Sequence, residues 1–321
     1  MKRFLLAFLL IGAFINNAEA QYMLNKENYL VNDVSMIGLP DFPPFSYYEK
    51  GKDFYNLSGA FVQPTLDVMK KYGFKLEADE RRDISFQQLI LDIRSGANQL
   101  FIGAYSNTKM FSGIELIFPA SVSNPIHVIT LPQTQEKIHK AADLKNMRGV
   151  ISRTEYFSDF VLRKAKSLNI TYVDTPYEAY EKIFTGEADY ILGSLYYNRI
   201  MASRYGIERY LSHSKSPLFK IPVFLGLYKQ MPMFSQYLKA FQTEFAKPEY
   251  ATAVKKEILR IVEDEIEKNI GVVPPSFAKI EELTEVPAEQ EEQDVTTQKQ
   301  GGKIIEKEVK QKTIDEVLEG I

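Results

Sequence analysis

Cysteine is absent from all 321 residues. That excludes disulfides, thiolate metal sites and cysteine nucleophiles, although a chain without cysteine is compatible with any compartment. Histidine is scarce too. His127, His139 and His213 show no ligand spacing such as i, i+4, so each reads as a surface or core residue, and no metal or cofactor is expected. Formal net charge is only −3, and no basic stripe points to nucleic acid. Long apolar runs are missing beyond the first twenty residues, so no later segment is expected to cross a bilayer, which takes about 20 apolar residues.

The first twenty residues have a separate logic. Lys2 and Arg3 form a basic start, Phe4 to Ile15 an apolar stretch, and Ala18-Glu19-Ala20 a small-x-small cleavage site. The apolar stretch is too short for a membrane anchor. Residues 1–20 therefore read as a cleaved signal peptide, with the mature protein starting near Gln21 and residing in the periplasm.

The mature chain alternates between two periodicities. "VSMIGL" (34–39) reads as a buried strand, "GAFVQPTLDVMKKYGF" as a helix stopped by Gly73, and "FKLEA" as a strand. "SFQQLILDIRSG" is a helix ending at Gly96, and "QLFIGAY" a strand. After "PIHVITLP" a second series runs from "NMRGVIS" through "YFSDFVLRKAKSL", "ITYVD" and "PYEAYEKIFTGE" to "ADYILGS". "KIPVFLGLYK" (220–229) is a further strand, and closing helices lie between Met233 and Ile266. Strands alternating with helices imply parallel strands with crossover helices. Two such series joined by extended segments imply an α/β, two-lobed chain whose ligand site lies between the lobes, at the carboxyl ends of the strands.

Two stretches break the pattern. "PDFPPFSYY" (40–48) crowds aromatics around Pro43-Pro44, and each proline lacks an N–H donor and fixes its own φ, so it is expected to be a stiff aromatic loop. Such a loop is either a turn plugged into the core or a wall of a ligand pocket. From Gly271 onward, twelve acidic residues face six lysines with one aromatic, Phe277. That composition is expected to be a disordered acidic linker, followed by a short amphipathic helix within "KIIEKEVKQKTIDEVLEGI". This helix either docks on its own core or binds a partner in the cell envelope.

In order along residues 32–265, these motifs resemble the periplasmic solute-binding proteins of family 3, the amino-acid type of ABC transport systems. The "PDFPPF" loop before a Gly-led helix, "FQQLILDIRSGANQLFIGAYSNT", "DLKNMRGVISRTEY" and "IFTGEADYILGSLYY" carry the likeness. The resemblance implies a periplasmic-binding-protein-like (type II), Venus-flytrap fold with two hinge strands, "PIHVIT" and "VFLGLY". Lobe 1 would comprise residues 21–125 and 226–270, lobe 2 residues 126–225 with the hinge segments, and 271–321 the tail. It also implies that Phe42 stacks on a ligand while Phe86 covers its other face, with Phe45 and Tyr48 packing inward.

The chain departs from the family where amino-acid ligands are anchored. The positions that would carry two threonines and a carboxylate-binding arginine are Tyr105, Asn107 and Met110, and a methionine donates no hydrogen bond. Lys109 beside it is a point charge and not a bidentate fork. The family's Gly-Thr turn appears as Arg153-Thr154, and the position that receives the ligand ammonium is Ser194. The candidate ligand-binding set is thus Phe42, Phe86, Tyr105, Asn107, Arg153, Thr154 and Ser194. For each a plainer role stands beside it: Tyr105 and Asn107 as loop shapers, Arg153 as a surface arginine, Ser194 as a helix cap.

Three functions are open, in descending order. The first is capture of a small organic ligand, not a standard amino acid, for an inner-membrane ABC permease. The second is a ligand-free or sensory protein acting on another envelope protein through its surface and tail. The third is an enzyme, because some relatives of this fold are dehydratases. Glu155 is the sole acidic residue near the mapped site, and one carboxyl without a partner is thin equipment for acid–base chemistry, so no enzymatic activity is expected.

Overall fold

The computed structural model describes residues 34–277, apart from 83–84, 106–112, 136–137, 139–140, 156 and 158. The leader, most of the acidic linker, the terminal helix, Asn107, Lys109, Met110 and His139 lie outside the described residues.

A ten-stranded sheet forms the spine, and its strands meet in the order expected of two α/β series. In the first series β1 (Val34–Gly38) lies parallel to β5 (Leu76–Ala78) on one side and to β7 (Leu100–Tyr105) on the other. In the second, β10 (Arg148–Ser152) lies parallel to both β11 (Asn169–Val173) and β12 (Tyr190–Ser194). All residues of β7 and β12 are buried, as expected of strands covered on both faces.

Two long strands join the halves. The first, β9 (Val122–Thr130), runs antiparallel to β12. The second, β14 (Phe219–Tyr228), pairs with β9 over Phe219–Val223 and with β7 over Val223–Leu227. Val223 is thus the residue at which β14 passes from one half to the other. These are the two hinge strands of a two-lobed α/β fold. Two short strands, β8 (Ile114–Leu116) and β13 (Ser212–His213), pair antiparallel with β14 and β9 respectively.

Helix boundaries follow local chemistry. Helix α1 spans Val62–Lys71. In α2 (Phe86–Ser95), Ser85 caps the start by accepting from Gln88 N, and Gly96 ends the helix at φ 74°, a conformation that favours glycine. Helix α3 covers Asp159–Ala165. Ahead of α4 (Pro176–Phe184), Thr175 caps the start by accepting from Glu178 N, the Glu178 carboxylate accepts from Asp174 N, and Pro176 lies in the first turn. Helices α5 (Leu195–Arg204), α6 (Phe234–Phe245) and α7 (Pro248–Lys268) complete the layer. On α7 the buried Tyr250, Val254, Ile258, Ile261 and Val262 recur at helical spacing.

Two expectations need correcting. The stretch around Pro43-Pro44 is not a loop throughout. It is part of a small antiparallel sheet, β2 (Asp41–Phe42), β3 (Ser46–Lys50), β4 (Tyr55–Ser58) and β6 (Glu80–Arg81). The prolines occupy only the turn, so Phe42 and Ser46 remain free to pair across it. The change of composition at Gly271 also precedes the end of packing. Phe277 is buried, its ring stacked 5.2 Å from that of Phe184, because the one aromatic of this stretch finds an apolar partner on α4.

Candidate functional site

The sequence-predicted residues fall into three groups. Phe42, at the end of β2, is buried, with its ring 5.0 Å from Phe45 and edge-on to Tyr105 at 5.6 Å. Phe45 continues this aromatic wall to Phe61 at 6.3 Å and to Tyr196 of α5 at 6.1 Å. Phe45 and Tyr48 both point inward and are buried.

Tyr105 and Ser194 are brought together by a residue that sequence reasoning missed. Asn124, near the start of β9, donates from Nδ2 to the Tyr105 hydroxyl at 2.8 Å. Its Oδ1 accepts from Ser194 Oγ at 2.7 Å. The chain Ser194–Asn124–Tyr105 therefore runs from the end of β12, across a hinge strand, to the end of β7. All three side chains are buried. The available signal was slight, because Asn124 is one of three buried polar residues of β9, with His127 and Thr130.

Ser194 has two further tasks. Its Oγ caps α5 by accepting from Tyr197 N, as expected of serine at that position. Its backbone N–H donates at 2.6 Å to Glu155 Oε2. The other carboxyl oxygen of Glu155 accepts from Asn198 Nδ2 at 2.7 Å. Gly193 makes room for this arrangement, since a Cβ there would collide with Glu155 Oε1 and Asn198 Nδ2.

Glu155 is enclosed, and burial pushes its carboxyl pKa up to about 8. The two donors act in the opposite direction, because hydrogen bonds to a carboxylate favour the charged form. Desolvation outweighs them. Nearby, Thr154 accepts from the Tyr197 hydroxyl at 3.1 Å and shares a hydrogen bond with Ser152. Tyr197 and Asn198 were missed as well. Their signal was a run of polar-tipped residues in the first turn of a helix whose burial extends around most of its surface.

The remaining candidates stand apart from this cluster. The Arg153 guanidinium pairs with Asp174 at 2.6 Å, and both side chains are mostly exposed. Phe86 opens α2 and is 37% exposed. Asn107 lies outside the described residues. His127 is buried, with Nδ1 2.8 Å from the Ser214 carbonyl oxygen, and His213 is exposed. Among the described residues no cluster of three His, Asp or Glu side chains is arranged to hold a metal.

The Tyr105–Asn124–Ser194 chain is made of neutral groups. They can orient a polar ligand but offer it no formal charge, and the carboxyl behind them is already engaged by donors of the same half of the molecule.

No protein-family model and no curated protein matches the chain. Solved structures do. One is a putative binding component of an ABC transporter from Wolinella succinogenes complexed with lysine, 17% identical, covering 72% of this chain and 95% of that one, with a TM-score of 0.55. Another is an amino acid ABC transporter substrate-binding protein from Streptococcus pneumoniae bound to L-arginine, 14% identical over 72% and 94% of the two chains, TM-score 0.53. A third is a histidine kinase sensor domain with similarity to periplasmic binding proteins, 16% identical over 76% and 98%, TM-score 0.50. The fold is that of the two-lobed periplasmic binding proteins. The chains sharing it here are binding proteins of transporters and a sensor domain. No helix among the described residues is long and apolar enough to cross a membrane.

Proposed function

We propose that the protein is a periplasmic, non-enzymatic solute-binding protein that captures a small organic ligand between two lobes for an ABC-type importer, and that the ligand is not a standard α-amino acid. The lobes would be residues 21–125 with 226–270, and 126–225, delivered to the periplasm by cleavage of residues 1–20. One observation carries the ligand reading. At the meeting of the two halves, Tyr105, Asn124 and Ser194 are neutral and bonded to one another, and Glu155 is held by Ser194 N and Asn198.

A zwitterion bound there would bury its ammonium without a charged partner. Removing one member of a buried charge pair costs about 2–5 kcal/mol, which is a loss of about thirty- to several-thousand-fold in affinity. Phe42, Phe86, Tyr105, Asn107, Thr154 and Ser194 would shape the pocket, and Arg153 would exchange Asp174 for an anionic group. An aromatic or anionic ligand without an ammonium suits this set.

Calorimetry against the proteinogenic amino acids and a panel of organic acids tests the reading. Binding is expected from an organic acid, with at least tenfold weakening in Arg153→Ala. Submicromolar affinity for any proteinogenic amino acid overturns it.

The Ser194–Asn124–Tyr105 chain favours a second reading, because through it side chains of the two halves bond directly to one another. Under it the protein is a ligand-free or sensory relative that acts on another envelope protein, with the residues after Phe277 as contact. Neighbouring genes separate the two: a permease and ATPase pair supports import, and a kinase or other receptor supports sensing.

A further inference from the structure

A cavity of about 150 Å³ sits where the first hinge strand meets helices α5 and α7. Ser121, just before β9, and Val122 and Ser123 at its start line it, with Tyr196 from α5 and Lys255 and Ile258 from α7. None of these residues belongs to the candidate ligand set. The polar groups facing the cavity are alike in kind. Ser121 Oγ is buried and has no hydrogen-bond partner, an arrangement that costs about 1–3 kcal/mol when nothing fills it. Tyr196 is buried, and its hydroxyl, pushed up to about 12 by that burial, keeps its proton at neutral pH.

Lys255 brings a positive charge. Glu257, the acidic residue nearest it in sequence, pairs with Arg260 instead. No ion pair reaches Lys255 among the described residues. The cavity is lined by one cation and three hydroxyl groups, with no carboxylate among its lining residues. A single water needs only about 10–15 Å³ of such space, so the cavity has room for a group of several heavy atoms.

We propose that this cavity is a binding site for a small oxyanion, a carboxylate or a tetrahedral phosphate or sulfate, held by Lys255, Ser121 and Tyr196. Charge-assisted hydrogen bonds from an ammonium and two hydroxyls are the strong class of such bonds. The bound anion would join α7 to the first hinge strand and to α5. Tyr196 also touches Phe45 of the aromatic wall, so occupancy would be felt at the edge of the ligand site. The site does not depend on what the interlobe ligand is.

The test is calorimetric titration of the full chain with sodium sulfate, inorganic phosphate and sodium acetate, with ionic strength held by chloride. Saturable binding of at least one of them at a single site is expected. Lys255→Met should weaken it at least tenfold, and Ser121→Ala should weaken it measurably. Lys256→Met, on the same helix but outside the cavity lining, should leave it unchanged. Preference for phosphate or sulfate identifies a tetrahedral ligand, preference for acetate a carboxylate, and both uphold the site. Absence of saturable binding by all three overturns it. So does binding that Lys255→Met leaves intact, or that Lys256→Met weakens equally. Should Lys255→Met fail to fold, Ser121→Ala decides alone, and unchanged affinity in that variant overturns the proposal.

Discussion

Where the two halves meet, Phe42, Phe45 and Tyr105 lie ring against ring, whereas Glu155, Ser194 and Asn198 are joined by hydrogen bonds around one enclosed carboxyl. The first group is fixed by contact area, which does not depend on pH and tolerates modest changes of angle. The second is fixed by direction and protonation state, so a single missing donor or a displaced proton is felt throughout it. Asn124 is bonded to both, through Tyr105 and Ser194. The contrast teaches that the two groups should fail in different ways.

The strongest expected break is on the aromatic side. Phe45 is fully buried and touches Phe42, Phe61 and Tyr196. Phe45→Ala should cost about 3–5 kcal/mol, the usual range for an aromatic removed from a core. Urea unfolding at two pH values measures it, and the loss should be equal at both, since no titrating group is removed.

The hydrogen-bonded side should instead show a pH profile. The folded-state pKa of Glu155 is raised from 4.5 to about 8 by burial. Between those values the folded protein retains a proton that the unfolded chain has released. Stability contributed by this group is therefore present below about 4.5 and declines as pH rises towards 8. The slope is at most about 1.4 kcal/mol per pH unit. Unfolding curves across that range check the sign, and Glu155→Gln should flatten the profile. A slope through this window that Glu155→Gln leaves unchanged would show that the two donors, not burial, decide its state, since the carboxyl would then be ionised in both states.

The smallest effect tests the bridge between the groups. Tyr105→Phe keeps the ring and removes the hydroxyl that accepts from the buried Asn124 amide, at a cost of about 1–3 kcal/mol. Phe42 packing should persist, so a loss several times larger would mean that the two groups are one cooperative unit.

Much of the fold was legible. Alternating strand and helix patterns gave the two parallel series, and glycine or proline marked several helix ends, as at Gly96 and Pro176. Those signals are local, carried by the backbone preferences of a few adjacent residues. Phe42, Tyr105, Thr154 and Ser194 were legible as candidates through the family resemblance, and they lie in or beside one connected cluster. The β2–β3 pairing was hidden because prolines punctuate a turn and a loop alike. Asn124 was hidden for another reason. An asparagine in a buried strand announces only that it needs partners, and its partners lie 19 and 70 residues away.

By itself the sequence determined the α/β alternation and the exclusion of thiol chemistry, because residue type and spacing are sufficient for both. Only the tertiary structure decided how the remaining polar groups are used. It set Glu155 behind Ser194, turned Arg153 towards Asp174 and left the Ser121 hydroxyl without a partner beside Lys255. Those outcomes depend on burial and on donors brought in from distant segments, and a side chain acquires both only when the sheet has closed around it.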